Sequence, residues 1–444
     1  MKRRLTSFRI IIFGFLGVIF AGSFFLMLPV ATVDGQGATF LEALFTATSA
    51  CCVTGLVVQD TATYWSVFGQ SVILVLIQIG GMGVVTMAVI FALISGKKIG
   101  LKQRSTMQEA IAAPSVGGIV KLTGFIVRTT LMIEGLGALL LFPTFYKQFG
   151  VLKGAWYAVF HSISAFCNAG FDLMGGKEKY SSLTFYADNL SVNVVIMSLI
   201  IIGGIGFMTW EDIRSKGVHI QKYRMQSKVI LATTAILLVV PFLYFYFGEL
   251  GRNVWQDMTQ GERILAAMFQ TVTPRTAGFN TIDLTKLSEA GQTLMMLLML
   301  TGGAPGSTAG GMKITTLAVL FMIMIAVFQR KEDANCFGRR IPEDTVKYAA
   351  TILLMYFLLF LFGGMAISIS ENLPMLTCLF ETASAIGTVG LTLGITPTLG
   401  VTSRLVLISL MFFGRVGCLT LVFAASSGTK VNPAKMPMEK ITVG

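Results

Sequence analysis

Charge is scarce in this chain. Asp, Glu, Lys and Arg make up 13% of its 444 residues, about half the share of an ordinary soluble domain, and a water-soluble protein is excluded on that ground. Histidine is scarcer still, with His161 and His219 far apart, and the six cysteines (Cys51, Cys52, Cys167, Cys336, Cys378, Cys418) form no C-x-x-C pair. These shortages remove the ligand sets of a zinc site and the framework of a disulfide scaffold. No Ser/His/Asp set and no paired membrane carboxylates stand at useful spacing, so an enzyme active site has no support. What is present is apolar: hydrophobic residues reach 54%, with 34 phenylalanines, and mean hydropathy is +0.75. Several runs exceed the ~20 apolar residues that cross a bilayer. The composition predicts an all-α polytopic membrane protein.

The formal charge of +12 reflects where lysine and arginine gather, and nucleic acid is not an expected partner. They cluster before the first apolar run (Lys2, Arg3, Arg4, Arg9), within 97–128, 214–228 and 330–347, and in the tail (Lys430, Lys435, Lys440). These alternate connections hold 23 of the 34 basic residues, and the positive-inside rule puts them and both termini in the cytoplasm of a multi-pass cell-membrane protein. The run from Ile10 to Val30 continues past Ala21-Gly22-Ser23 and is read as a membrane helix, not a signal peptide. Eight spans fit: roughly 10–30, 67–95, 117–142, 190–210, 227–248, 291–328, 345–370 and 402–426.

Between each odd span and the next lies a short apolar segment ending in glycine, too short to cross as a helix. The four read FTATSACCVTG (45–55), FHSISAFCNAG (160–170), FQTVTPRTAG (269–278) and FETASAIGTVG (380–390). Phe and Gly stand 10, 10, 9 and 10 residues apart. A second glycine marker follows each: Gly80-Gly81-Met82-Gly83, Gly203-Gly204-Ile205-Gly206, Gly302-Gly303-Ala304-Pro305-Gly306 and Gly414-Arg415-Val416-Gly417. Two markers in the same order in four units define a fourfold repeat of helix, re-entrant half-helix, glycine turn and helix around one central pore. The expected units are 1–96, 97–226, 227–340 (with a broken last helix) and 341–444 (with a cytoplasmic tail).

Backbone that leaves helical geometry at membrane depth is tolerated only where it is buried in protein or lines a watery cavity. Four inward half-helices bring the negative ends of their dipoles to the pore centre, which favours a cation. The turns Val53-Thr54-Gly55, Asn168-Ala169-Gly170, Thr276-Ala277-Gly278 and Thr388-Val389-Gly390 then offer backbone carbonyls in place of a hydration shell. Neutral oxygens suit a weakly hydrated monovalent cation, whereas divalent ions recruit carboxylates. Glu42, Glu381 and Asp172 flank the turns; pore-entrance charge and helix capping are both open readings of them.

These residues resemble the superfamily of TrkH, KtrB and HKT potassium transporters over nearly the whole chain, with the bacterial Ktr members nearest in length. The resemblance rests on Gly55, Gly170, Gly278 and Gly390, on Thr388-Val389-Gly390, and on the loop from Gly302 to Gly311. It implies K+ uptake through a one-chain filter, a homodimer in membrane lipid, and a cytosolic RCK ring that binds the nucleotide (ATP or ADP), with no covalent cofactor on this chain. It leaves Na+ open as a coupling or activating ion. Glycine at all four positions implies potassium preference, because serine in the first goes with sodium in that superfamily. The third copy departs from the pattern by one missing residue and by Pro274-Arg275. Alternatives are the channel-like subunit of an ATP-driven pump, as in KdpA, which predicts a longer chain, and a less selective Na+/K+ pathway.

The loop Gly302-Gly303-Ala304-Pro305-Gly306-Ser307-Thr308-Ala309-Gly310-Gly311 interrupts an apolar segment, and its proline and glycines exclude regular helix. It mimics a phosphate-binding loop, but Met312 separates Gly311 from Lys313 and no strand precedes it. It is read as an intramembrane gate under the filter. Arg415, inside an apolar helix, is read as an electrostatic barrier in the pore, with Glu134 as the alternative ion-pair partner. Lys313 is expected to snorkel or anchor the loop, His161 to be a satisfied buried histidine, and the run Met295 to Met299 to be core. Lys97, Lys98, Arg104, Arg214, Lys222, Arg339 and Arg340 form the expected docking surface for the cytosolic ring.

Overall fold

A computed structural model describes residues 6–94, 99–110, 117–417 and 420. The described residues are mostly helical; one short hairpin pairs Asn335–Cys336 with Arg339–Arg340. Lys97, Lys98, the first four basic residues' Lys2, Arg3 and Arg4, Cys418 and the basic tail lie outside the described residues.

Each repeat opens with a long apolar helix: Ser7–Leu26, Ile119–Phe149, Met225–Leu243 and Glu343–Glu371. Each then turns back through a short helix: Phe40–Cys51, Val151–Phe166, Gln260–Val272 and Met375–Gly387. Lengths of 12 to 16 residues give about 18–24 Å of helix, less than a bilayer core. The first and third short helices start with a capping box, Thr39 with Glu42 and Thr259 with Glu262, so Glu42 acts as a cap rather than a free charge at the pore mouth.

The returning helices of the first two repeats carry sharp bends that hydropathy does not signal. Val67–Met82 meets Val84–Ile90 at 99°, and Leu190–Gly204 meets Phe207–Lys216 at 95°. Gly83 (φ 86°) and Gly206 (φ 89°) lie in the left-handed region at these corners, where a Cβ is disfavoured. In the fourth repeat the helix Val401–Val416 is followed by Gly417, φ 88°, and the rest of the expected span to 426 lies, apart from residue 420, outside the described residues. The third repeat breaks most, with Glu289–Met299 and Ile314–Phe328 separated by the glycine-rich loop. The second glycine marker thus bends the returning helix in the first two repeats and breaks it in the third, and in the fourth Gly417 takes the same positive φ as Gly83 and Gly206.

The leading glycine of that marker has a separate cause. A Cβ on Gly80 would collide with the Cys51 carbonyl, one on Gly203 with Phe166, and one on Gly414 with Ile386. Cys51, Phe166 and Ile386 are each the sixth residue after the phenylalanine that opens the repeat frame. The returning helix therefore touches the C-terminal end of its own short helix at glycine distance, which a methyl group prevents.

Gly80→Ala should lower the thermal unfolding temperature of the purified protein in detergent, with a cost of about 1–3 kcal/mol for the forced shift. Gly17→Ala, in a helix with nothing within 4 Å of the new Cβ, should leave the temperature unchanged or raise it. Equal effects of the two would contradict the close approach.

Candidate functional site

The four glycine turns close on one another. A Cβ built on Gly55 would meet the Ala169 carbonyl and Gly170, and one on Gly170 the Ala277 carbonyl and Gly278. One on Gly278 would meet the Val389 carbonyl and Gly390, and one on Gly390 the Thr54 carbonyl and Gly55. The contacts run through the repeats in order and return to the first, so the turns form a ring around one axis. No side chain at these four positions fits.

Within each turn the first and third residues have positive φ: Val53 (51°) and Gly55 (92°), Asn168 (57°) and Gly170 (69°), Thr276 (70°) and Gly278 (84°), Thr388 (51°) and Gly390 (98°). Alternating the backbone hand over three residues rotates successive peptide planes so that their carbonyls face the same side. For Val53, Asn168, Thr276 and Thr388 that conformation is costly, on the order of 1–3 kcal/mol, and the surroundings hold it. The amide nitrogens of Thr54, Ala169 and Val389 donate to the carbonyls of Ser49, Ser164 and Ser384, each at 2.8 Å. In the third repeat Ala277 donates to the Thr273 carbonyl at 2.9 Å. The bond spans five residues in three repeats and four in the third, so the missing residue is absorbed between Thr273 and Ala277 and the turn itself is intact.

The same four residues brace the turns a second time. The Ser49 and Ser384 hydroxyls accept from the Gly55 and Gly390 amides at 3.1 and 3.0 Å. The Ser164 and Thr273 hydroxyls donate to the carbonyls of Phe171 and Phe279 at 2.7 and 2.5 Å. Sequence reasoning passed over these hydroxyls, although each is the fourth residue after the phenylalanine in its repeat. The turn residues are buried, and the hydroxyls of Thr54 and Thr388 have no hydrogen-bond partner among the described residues. The Asn168 amide lies 3.2 Å from the Thr276 hydroxyl. Outside the ring, Glu381 accepts from the Thr392 and Thr396 hydroxyls and the Leu393 amide and so fixes the chain leaving the fourth turn. Asp172 accepts from the Met174 amide at 2.8 Å.

The loop 302–311 lies directly against this ring. Its base is closed by Gly302 N to Met312 O, 2.7 Å, and Ile314 N to Gly303 O, 3.0 Å. Ala304 N donates to Gly204 O at 2.9 Å, and Phe207 N donates to Gly306 O at 2.7 Å, both at the corner of the second repeat. The Ser307 hydroxyl bonds the Ala304 carbonyl inside the loop, and the Thr308 hydroxyl donates to the Phe166 carbonyl at 2.9 Å. A Cβ on Gly310 would strike the Thr388 side chain and one on Gly311 the Gly387 carbonyl. Ala309 is buried beside them, and its carbonyl accepts from Lys313 Nζ at 2.9 Å, so Lys313 anchors the loop.

Arg415 reaches across the space under the ring. Its guanidinium donates to the carbonyls of Thr308, Gly80 and Gly81, which ties the loop to the corner of the first repeat. It has no carboxylate partner among the described ion pairs. Glu134 is engaged elsewhere, accepting from Gln78 at 3.1 Å and from the Cys167 thiol, so the alternative of an Arg415–Glu134 pair is corrected. The carbonyls of Gly80 and Gly81 at the C-terminal end of the helix Val67–Met82, with that of Thr308 in the loop, supply the negative potential that an acid would otherwise give. His161 is satisfied at both ring nitrogens, by Tyr157 O at 2.7 Å and Leu173 N at 3.3 Å. Met295, Met296 and Met299 are core. No cluster of metal-ligating side chains occurs among the described residues.

Four glycine turns closed into a ring, with a glycine-rich loop packed against them and long apolar helices around them, fit the class of helical membrane transporters. The family model described as TrkH, a cation transport protein, matches residues 4–432, and the chain belongs to that family. It is 40% identical over 452 residues to the potassium/sodium uptake protein NtpJ of Enterococcus hirae, covering 100% of this chain and 98% of that one. It is 39% identical to the Ktr system potassium uptake protein B of Bacillus subtilis, over 97% of this chain and 95% of that one. The structure of the potassium transporter TrkH from Vibrio parahaemolyticus superposes with a TM-score of 0.73 at 21% identity, covering 95% of this chain and 86% of that one, and shows the same fold. These relatives are cation transporters, not enzymes.

Ser384→Ala removes the acceptor of the Gly390 amide and should destabilise the protein by about 1–3 kcal/mol, read as a lower unfolding temperature. Ser384→Thr keeps the hydroxyl, as the third repeat does with Thr273, and should retain most of the stability. An unchanged temperature in the alanine variant would show that the hydroxyl does not brace the turn.

Proposed function

We propose that this protein takes up K+ across the cell membrane through a filter made by Val53-Thr54-Gly55, Asn168-Ala169-Gly170, Thr276-Ala277-Gly278 and Thr388-Val389-Gly390. The observation that carries the reading is the closed ring of four glycine turns, whose positive φ angles turn carbonyls rather than side chains to one axis. Such a ring replaces the hydration shell of a weakly hydrated cation, and it contains no carboxylate to favour a divalent ion. The names of the Enterococcus and Bacillus relatives point to potassium, and the first also to sodium. A shared Na+/K+ pathway, or Na+ as coupling ion, is therefore the second reading. A pump subunit of the KdpA kind is not favoured by any of these likenesses.

In the proposed mechanism K+ sheds water at the outer mouth and passes the carbonyl ring. It then meets the loop from Gly302 to Gly311, which acts as the gate. Arg415 does two things there: its positive charge opposes a cation below the filter, and its bonds to Thr308, Gly80 and Gly81 hold the loop in place. Opening requires those bonds to exchange for water or for other carbonyls. The four units 1–96, 97–226, 227–340 and 341–444 surround this path, with the basic connections and both termini in the cytoplasm.

Control is assigned to a separate cytosolic subunit of RCK type that binds ATP or ADP, acting on a homodimer of this chain. The Bacillus relative's name speaks of a system, and the connections between spans here are short. Arg104, Lys222, Arg339 and Arg340 are exposed or half-buried on the basic face, with Arg340 paired to Asp333 at 2.8 Å in the hairpin. They form the proposed docking surface.

Rb+ uptake into liposomes holding this chain should be inhibited by excess K+ and not by Na+, and Gly278→Ser should lose or relax that difference. Equal competition by Na+ in the unaltered protein would exclude a potassium-selective filter. Arg415→Gln should raise Rb+ flux about tenfold, the factor given by ~1.4 kcal/mol of lost barrier; unchanged or lower flux would remove Arg415 from the gate.

A further inference from the structure

One sizeable groove does not belong to the proposed ion path. A groove of about 930 Å³ runs between the helix Ile119–Phe149 and the bent pair of the second repeat. Along the first helix Lys121, Phe125, Arg128 and Met132 line it, and their spacing of three and four residues puts them on one face. The opposite wall is Ile202, Ile205, Trp210, Ile213 and Arg214.

The groove is graded from charged to apolar. Lys121, Arg128 and Arg214 lie toward the basic connections, and no acidic residue lines it. None of the three takes part in an ion pair among the described residues. Lys121 and Arg128 are exposed, and Arg214 lies over the Phe125 ring at 4.8 Å, which spreads its charge across the groove wall. From Lys121 to Met132 the helix rises about 16 Å, and at the deep end Met132, Ile133 and Ile202 leave only apolar surface. Lys121 and Arg128 stand about 10 Å apart along the helix, and three cations without an ion pair among the described residues along an otherwise apolar groove fit an amphipathic anion that enters from the bilayer.

We propose that this groove binds an anionic phospholipid of the leaflet on the basic face. The headgroup phosphate sits between Lys121 and Arg128, over Phe125 and with Arg214 at the rim, and an acyl chain lies along Met132, Ile133 and Ile202. Basic pockets between membrane helices recognise acidic headgroups by charge, and a neutral lipid lacks that term. The site also touches the gate through the fold. Ile202 accepts from the Trp210 indole at 3.0 Å across the corner, and the next residue after Gly206 donates to Gly306 of the loop. A lipid in the groove therefore packs on the corner that holds the loop. The binding claim rests on the chain's place in a bilayer and on the orientation of its basic face, and it is independent of which ion passes.

The test is native mass spectrometry of the full-length purified protein with phosphatidylglycerol and, separately, phosphatidylcholine of the same acyl chains. The unaltered protein should hold phosphatidylglycerol more tightly than phosphatidylcholine. The Lys121→Gln/Arg128→Gln variant should bind phosphatidylglycerol roughly tenfold more weakly and phosphatidylcholine as before, while Arg128→Lys should keep most of the preference. No preference in the unaltered protein, or the same preference in the glutamine variant, would overturn the proposal. So would efficient cross-linking of two chains through a Met132→Cys variant in vesicles, because the groove would then be covered by a second copy. The unaltered protein's preference is read without any variant, so a folding failure of the glutamine form leaves the test intact.

Discussion

Amide and carbonyl groups that leave helical pairing inside a bilayer must find partners within the protein or face water, at several kcal/mol for each group left without either. Among the described residues the helices are interrupted at the four glycine turns, at the bends of the first two repeats and at the loop 302–311, and most of the distinctive residues follow from that requirement. Serine or threonine behind each turn supplies bonds to the turn backbone. The leading glycine of the second marker in the first, second and fourth repeats lets the returning helix reach the end of the short helix. The loop 302–311 fills the central space by bonding to backbone at Gly203, Gly204, Phe207 and Gly414.

Arg415 belongs to the same account. A guanidinium in an apolar helix is costly unless its donors are used, and here they are used on carbonyls at Gly80, Gly81 and Thr308. The residue that stands in place of a glycine in the fourth repeat thus joins the corner of the first to the loop of the third. Its partners are backbone groups, which carry no label in a sequence, whereas a carboxylate such as Glu134 is visible and attracted the alternative assignment. The structure makes the arginine a fastening between the loop and the first repeat.

Much of the architecture was legible beforehand because the repeat is written twice in each unit. The phenylalanine-to-glycine frame located all four short helices and their turns, and proline with clustered glycine marked the broken third return. The bends at Gly83 and Gly206 were not read, because the flanking residues are uniformly apolar and hydropathy does not register a change of direction. The left-handed angles of these glycines decide it. The bracing hydroxyls of Ser49, Ser164, Thr273 and Ser384 stood in the aligned frame, but small polar residues are common in membrane helices and gave no signal apart from their position. The one-residue deletion before Gly278 was visible, and the structure shows it absorbed by a shorter hydrogen-bonded turn at Thr273.

The central claim is that the four turns present their carbonyls to a common cation. Anomalous diffraction from crystals of the protein grown with Rb+ in place of K+ tests it most directly. The account predicts density on the axis of the ring, within coordinating distance of the carbonyl oxygens of Thr54, Ala169, Ala277 and Val389. An occupied Rb+ site away from those carbonyls, with none on the axis, would contradict it.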